Sequence, residues 1–132
     1  MSLPSLALAV AEFNQREFYA CHDILEAIWL EAEPTEKNFY QGILQIAVGC
    51  YHLQNLNWQG AVILLGEGIR RLQTFQPQYQ GVQITALMEQ SFALLTALQA
   101  ITPEQVATFW EQQVLSGEQP LPILTLVVGP DS

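Results

Sequence analysis

The chain has 132 residues, enough for one domain with a hydrophobic core, and half of them are hydrophobic while only 13% are charged. Thirteen acidic residues against four basic ones give a formal net charge of −9, and Arg70 and Arg71 form the only basic pair. Because nucleic acids and anionic membranes are bound by clustered Lys and Arg, this acidic protein is predicted to bind neither.

The location of the protein is predicted from its apolar runs and its cysteines. No apolar run approaches the roughly 18 residues that span a bilayer, and the opening residues lack the positive charge of a signal peptide. The two cysteines, Cys21 and Cys50, both lie in predicted helices. We therefore expect a cytoplasmic protein with reduced, buried thiols. A Cys21 nucleophile activated by His22 is disfavoured, because adjacent side chains on a helix point about 100° apart.

Prolines divide the chain into segments without an internal helix breaker, and the hydrophobic spacing of each segment before the tail is helical. A short first helix ends near Phe13, and a second covers residues 18–29. Asn14 is the expected N-cap of the second helix, with Phe13 and Phe18 in contact across its start. The third helix is predicted to start at Pro34 and Thr35 and to run to about Leu53, and its segment 38–53 is apolar almost all round, which is typical of a central helix.

The fourth predicted helix contains three glycines, Gly60, Gly66 and Gly68, each of which weakens a helix by about 1 kcal/mol relative to alanine. They indicate either close packing against a neighbouring helix or a kinked helix. Arg70 and Arg71 lie at its end, where cations suit the helix dipole, and they are predicted to be solvated.

The C-terminal part of the chain is predicted to contain two further helices and an extended tail. The last helix begins at Thr102, with Gln105 completing a capping box, and ends before Gly117. Residues 119–132 are rich in β-branched residues and proline, so they are predicted to be extended. Since no partner strand is predicted within the chain, we expect them to lie across the helices or to pair with another subunit. The prediction is a single all-α domain over residues 1–132, a compact bundle of five to six helices with this tail.

Two ionisable residues interrupt the apolar stripe of the second helix. His22 and Glu26 fall at helical spacing with Phe18, Leu25 and Trp29, and as i and i+4 neighbours they can touch each other or a third group. Burial of such groups costs free energy unless they are paired, hydrogen-bonded or bound to a metal. They therefore need partners from elsewhere in the chain.

The third helix is the expected source of these partners. Its polar residues Gln41, Gln45 and His52 share one face with Val48, so the polar rows of the two helices are predicted to meet inside the core. The favoured interpretation is a structural hydrogen-bond network that holds the two helices in register, with tyrosine hydroxyls contributing.

Three functional alternatives remain open from the residues alone. His22, Glu26 and His52 could bind a divalent metal (Zn, Mn or Fe) for hydrolysis of an unknown small-molecule substrate, with Gln41 and Gln45 as supporting polar groups. The sequence lacks the HExxH pattern of zinc proteases. His22 and Glu26 could instead act as a metal-free acid and base. The apolar tail and three tryptophans are also compatible with a homodimeric interaction module.

The combined pattern FNxxEFYxCHDxLExxW, FYQGILQIAxGxYH and GAxxLLxxGxxRL resembles the bacterial and archaeal family called domain of unknown function 309, over residues 13–72. The resemblance implies a small all-helical bundle, and members have been labelled predicted metal-dependent hydrolases without an established reaction. The family's polar residues would correspond here to His22, Glu26, Gln41, Gln45 and His52. The resemblance supplies no substrate.

Overall fold

The computed structural model describes residues 5–127 and places an all-α fold there, as the sequence predicts. The helices are α1 Leu6–Asn14, α2 Phe18–Glu31, α3 Pro34–Gln54, α4 Trp58–Leu72, α5 Ile84–Gln99 and α6 Val106–Phe109. Two short strands, β1 Gln78–Tyr79 and β2 Val82–Gln83, form an antiparallel hairpin between α4 and α5.

The third helix lies at the centre of the molecule, which confirms the prediction from its apolar sequence. It packs against α2 on one side and against α4 on another. Its side chains from Phe39 to Leu53 include six apolar residues that are fully buried: Phe39, Ile43, Ile46, Ala47, Cys50 and Leu53. Among its polar side chains, Gln45 is buried, and Gln41 and His52 are only partly exposed.

The contact between α3 and α4 is a close approach of two backbones at glycine. A Cβ atom at Gly68 would lie 2.6 Å from Cγ1 of Ile46 and 2.8 Å from the carbonyl oxygen of Gly42. Such distances are too short for any side chain, so glycine is required there by packing. Close packing is therefore the reason for Gly68, whereas a Cβ atom at Gly66 would meet only Cδ2 of Leu95, at 4.0 Å.

The start of α2 differs from the sequence prediction. Asn14 was expected to cap this helix, but it is the last residue of α1, and Glu17 is the N-cap residue of α2 without a side-chain capping bond. Arg16, in the turn between them, has a left-handed backbone with φ of 65°. The expected contact of Phe13 with Phe18 is present, with ring centroids 5.2 Å apart.

The Asn14 side chain forms hydrogen bonds to the extended tail and does not cap a helix. Its amide nitrogen donates to the carbonyl oxygen of Leu124 at 2.8 Å, and its oxygen accepts from the Leu124 N–H at 2.7 Å. Next to this clamp, Leu126 bridges Val82 of β2, so the expectation that the chain offers the tail no strand partner is wrong. Residues 128–132 of the predicted tail lie outside the described part of the chain.

The last helical segment is less regular than its sequence suggests. The capping box of Thr102 and Gln105 is present as predicted, but a 3₁₀ turn, Pro103–Gln105, precedes α6, and a π-helical turn, Trp110–Val114, follows it.

Within residues 5–127 no single helix is long and apolar enough to cross a membrane. Only α5 taken together with Pro103–Val114, across a bend of 108°, has that length and composition.

The glycine contact between α3 and α4 can be tested by adding one methyl group. Gly68→Ala is expected to lower the free energy of unfolding by about 1–3 kcal/mol, because the new methyl group overpacks the contact with Ile46. Gly66→Ala, on the same helix, is the matched control and should raise it by about 0.5–1 kcal/mol through helix propensity. Urea unfolding of both variants measures the difference, and equal stabilities would contradict the packing argument.

The tail clamp can be tested separately. Asn14→Ala removes both hydrogen bonds to Leu124 and leaves two backbone groups of the tail unpaired, so stability should fall by about 1–3 kcal/mol. Amide hydrogen exchange at Leu124 should become faster. Asn55→Ala, which removes one bond from the residue after α3 to the Tyr51 carbonyl oxygen, is the control and should leave exchange at Leu124 unchanged. Unaltered protection of Leu124 in Asn14→Ala would refute the clamp.

Candidate functional site

The polar row of α2 lies at the surface of the molecule and not in its core. The side chain of His22 is 28% exposed and that of Glu26 is 53% exposed, so the prediction of a buried row is wrong for Glu26. The helix instead buries Phe18, Cys21 and Leu25. Phe18 and Leu25 are thus buried as predicted, but the buried face extends toward Cys21, which points about 100° away from His22 on the helix.

Both ring nitrogens of His22 face a carboxylate. Nδ1 is 3.1 Å from Oδ1 of Asp23, and Nε2 is 3.5 Å from Oε2 of Glu26. An ionised carboxylate can only accept a hydrogen bond, so the Asp23 contact places the hydrogen of a neutral ring on Nδ1. The lone pair of Nε2 then faces an oxygen of Glu26. Two acceptors in this arrangement repel each other unless a cation, either a proton or a metal ion, lies between them.

The three residues form a group with the spacing of metal ligands. One ligand atom from each of His22, Asp23 and Glu26 can be chosen so that all lie within 4.8 Å of one another. Asp23 was missed because it lies off the apolar stripe; the signal that could have found it is its position next to His22. His52 is not part of this group, and the metal role of His22, Glu26 and His52 stays a prediction.

The start of α4 holds the ring of His52. Its Nδ1 is 3.2 Å from the amide nitrogen of Asn57, and the oxygen of the same amide accepts from the Gly60 N–H at 3.0 Å. That cap fixes the orientation of the Asn57 amide, so its nitrogen donates and Nδ1 of His52 accepts. The hydrogen of a neutral His52 ring is therefore on Nε2. In this state His52 offers a hydrogen-bond donor and not a metal ligand.

Two small grooves lie between α2 and α3, and His22 borders both. The first, which we call the tyrosine groove, has a volume of about 140 Å³ and is lined by Phe18, Tyr19, His22, Val48, Tyr51 and His52. The second, which we call the tryptophan groove, has a volume of about 190 Å³ and is lined by His22, Glu26, Trp29, Gln41 and Leu44. The grooves thus bring His22, Gln41 and His52 to one surface, with His22 between them.

Gln45 belongs to a different contact. Its amide nitrogen donates to Oε2 of Glu67 at 3.3 Å, and its oxygen accepts from Nε of Arg71 at 3.0 Å. Arg71 also donates to the side-chain oxygen of Asn38 at 2.8 Å. Gln45 therefore links α3 to α4, away from His22, and the prediction that Arg71 is simply solvated is wrong.

A lysine packs over the ring of Trp29, one of the residues that line the tryptophan groove. Nζ of Lys37 lies 4.3 Å from the ring centroid of Trp29 and donates to the Trp29 carbonyl oxygen at 3.0 Å. The indole N–H of Trp29 is buried and has no acceptor within the described residues. The cation–π contact and the backbone bond together fix the end of α2 against the start of α3.

The two thiols are buried and free, as the sequence predicts. Burial and, to a smaller extent, the negative charge of nearby Glu12 together raise the pKa of Cys21 to about 12. Burial also raises the pKa of Cys50 to about 12. A thiolate is the nucleophilic form of cysteine, so neither residue is suited to nucleophilic catalysis near neutral pH.

The state of these thiols gives a testable pH dependence. Below pH 9 the thiols are protonated in both folded and unfolded chains, while between pH 9 and about 12 only the unfolded chain ionises. The free energy of unfolding should therefore fall as the pH rises through that window. The double variant Cys21→Ala and Cys50→Ala should show a smaller decrease over the same window.

The burial of the thiols can also be tested by alkylation. Native protein should resist iodoacetamide at pH 8 and react at both thiols in urea. Rapid labelling of the native protein would contradict the burial.

Comparison with known proteins finds similarity over the part of the chain that holds the candidate site. An uncharacterized protein of Bacillus subtilis (strain 168), YpuF, is 41% identical over 66 residues, which cover 48% of this chain and 38% of that protein. The chain therefore spans less than half the length of this curated relative. The family model of a domain of unknown function matches residues 6–64, which include α1, α2, α3 and the start of α4. The resemblance is thus confirmed: over residues 6–64, where both grooves and His22 lie, the chain matches the domain of unknown function 309.

Proposed function

We propose that the surface between α2 and α3 is a divalent-metal site that hydrolyses a small-molecule substrate. In this proposal His22 and Glu26 are the metal ligands and Asp23 orients the His22 ring. The observation that supports it is the placement of a carboxylate at each ring nitrogen of His22. This placement leaves a lone pair and a carboxylate oxygen facing each other, and a metal cation between them removes the repulsion.

The distances fit this arrangement. Two ligand atoms, each about 2.1 Å from a zinc ion at a tetrahedral angle, are about 3.4 Å apart. Nε2 of His22 and Oε2 of Glu26 are 3.5 Å apart. An imidazole combined with a carboxylate suits zinc, iron or manganese. Two protein ligands also leave coordination positions open for water and substrate.

The hydrogen bond of Asp23 has the role of an outer carboxylate in histidine metal sites. Such a carboxylate fixes the tautomer and the orientation of the ligating ring and makes it a better ligand. Asp23 is adjacent to His22 on α2 and points at its other nitrogen, at 3.1 Å. The sequence HDxxE thus supplies both ligands and the orienting group from one helix.

When bound, a divalent metal supplies Lewis acidity and lowers the pKa of its water to about 7. The other groups of the site come from α3. His52 borders the tyrosine groove with His22, and its neutral ring carries a hydrogen on Nε2, so it is suited to donate to a substrate oxygen. The Gln41 amide, in the tryptophan groove, can position the other end of a substrate.

The hydrogen bonds favour this function over a purely structural network. The contacts of His22 stay within α2, and those of Gln45 go to α4. Within residues 5–127 no side-chain hydrogen bond joins the polar row of α2 to that of α3, although a structural network would require such bonds. The polar groups therefore remain available to a ligand.

A metal-free acid and base remains the second candidate, because a proton can also lie between His22 and Glu26. The two mechanisms differ in their response to a chelator, since only the metal enzyme loses activity in EDTA. The predicted cytoplasmic location and homodimer are proposals that neither mechanism requires.

Metal binding can be tested by calorimetric titration with Zn²⁺ or Mn²⁺ and by the thermal shift that binding produces. At a free metal concentration 100 times Kd, the metal should stabilise the fold by about 2.7 kcal/mol. His22→Ala and Glu26→Gln should abolish the shift, and Asp23→Asn should weaken binding by roughly 10–100-fold. Glu31→Gln, at the exposed end of α2, is the matched control and should bind as the unaltered protein does. Equal affinity of Glu26→Gln and Glu31→Gln would reject the site.

A further inference from the structure

The tyrosine groove is walled almost entirely by rings. Five of its six lining residues carry an aromatic or imidazole ring. The ring centroids of Tyr19 and Tyr51 are 5.5 Å apart at 54°, and those of Tyr19 and His22 are 5.9 Å apart at 35°. Those of Tyr51 and His52 are 6.3 Å apart at 55°. The four rings therefore form a continuous run from α2 to α3, and their planes are inclined to one another rather than stacked.

The charge around this groove is negative. Asp23 and Glu26 both contact the ring of His22, and their side chains are 62% and 53% exposed. The lining includes no lysine or arginine, and the chain as a whole has a net charge of −9. An anionic ligand is disfavoured at this surface, whereas a cation in the groove meets several ring faces or edges, and one of the lining rings, that of His22, has a carboxylate at each nitrogen.

The volume limits the ligand to a compact group. The groove measures about 140 Å³, well below the roughly 300 Å³ at which pockets for complete drug-sized ligands begin. Tyr19 is 59% exposed, so the groove opens to solvent on that side. It can therefore take the head of a ligand whose remaining part extends along the surface.

We propose that the tyrosine groove binds the trimethylammonium or alkylammonium head group of a small cationic ligand. Aromatic side chains attract such cations through the negative charge of their ring faces, most effectively when several rings surround the methyl groups. An uncharged head of the same shape would gain the apolar contact but neither the ring attraction nor the attraction of Asp23 and Glu26.

This groove also suggests a substrate class for the hydrolysis, a step that rests on the proposed function. Because His22 borders both grooves, a head group at Tyr19 places the adjoining part of the ligand near His22 and Glu26. The substrate would be an ester or amide of an ammonium alcohol or amine. One water is consumed: its oxygen bonds to the acyl carbon, the bond to the leaving alcohol or amine breaks, and that group takes up a proton from the water.

The binding test uses choline and its uncharged isostere 3,3-dimethylbutan-1-ol, in which carbon replaces the nitrogen. Each is titrated into full-length protein in EDTA, with NMR signals of the groove residues as the readout. Choline should bind at least about fivefold more tightly than the alcohol, because cation–π attraction is absent from the alcohol. Since no metal is present, this result is independent of the proposed metal site.

Three variants locate the binding. Tyr19→Leu should lose the preference for choline, and Tyr19→Phe should keep it because the ring is retained. Phe92→Leu removes an aromatic ring that is also 59% exposed, on α5 and outside the groove, and should bind choline normally. Folding is not at issue for such exposed positions, and circular dichroism verifies it.

Equal affinity for choline and the alcohol, no saturable binding of choline, or unchanged binding by Tyr19→Leu would each overturn the proposal. A loss of binding in Phe92→Leu equal to that in Tyr19→Leu would also overturn it. If choline binds but no metal does, cation binding in the tyrosine groove is supported and the proposed metal-dependent hydrolysis is rejected. If metal binds but choline does not, the proposed function stands and the substrate class is wrong.

Discussion

The close approach of α3 and α4 is the constraint on which the site depends. Glycine at positions 42 and 68 lets the two backbones touch, and a Cβ atom at Gly60 would lie 2.8 Å from Cγ of His52. The first α4 turn therefore lies against the His52 ring, where the cap residue Asn57 can reach Nδ1. The packing of a pair of apolar helices thus sets the tautomer of a histidine on their outer edge.

The surface position of His22 follows from the free-energy cost of burying a histidine together with two carboxylates. A histidine between two carboxylates would be expensive to bury, because each charge would lose its hydration. At 28% exposure the ring lies beside that of Tyr19, while the carboxylates of Asp23 and Glu26 stay exposed to water. The same exposure allows a cation to reach the ring without any opening of the core. A buried network would have been more rigid, but it would have had no access for a ligand.

The sequence predicted most of the helices because their hydrophobic spacing is strong, and it predicted the central place of α3 because that segment is apolar on nearly all sides. It placed the core face of α2 correctly at Phe18 and Leu25 and incorrectly at His22 and Glu26. Helical spacing from Phe18 and Leu25 is compatible with a buried face that includes His22 and with one that includes Cys21, and only the packing of neighbouring helices distinguishes the two. Asn14 was misread for a related reason: its partner, Leu124, is 110 residues away, whereas the capping rule considers only local neighbours.

Two small grooves lie on either side of one histidine, so different parts of a ligand would contact different groups, which a single deep cleft would not separate. The carboxylates are exposed, so their attraction for a cation weakens as salt screens it. Ring contacts act at short range and do not need long-range fields, so the tyrosine groove would supply the part of the affinity that survives at physiological ionic strength. Orientation would then come from the fixed rings of His22 and His52, on two helices held in place by the core. A ligand spanning both grooves would gain more from this geometry than either of its ends alone, because the second contact becomes intramolecular once the first is made.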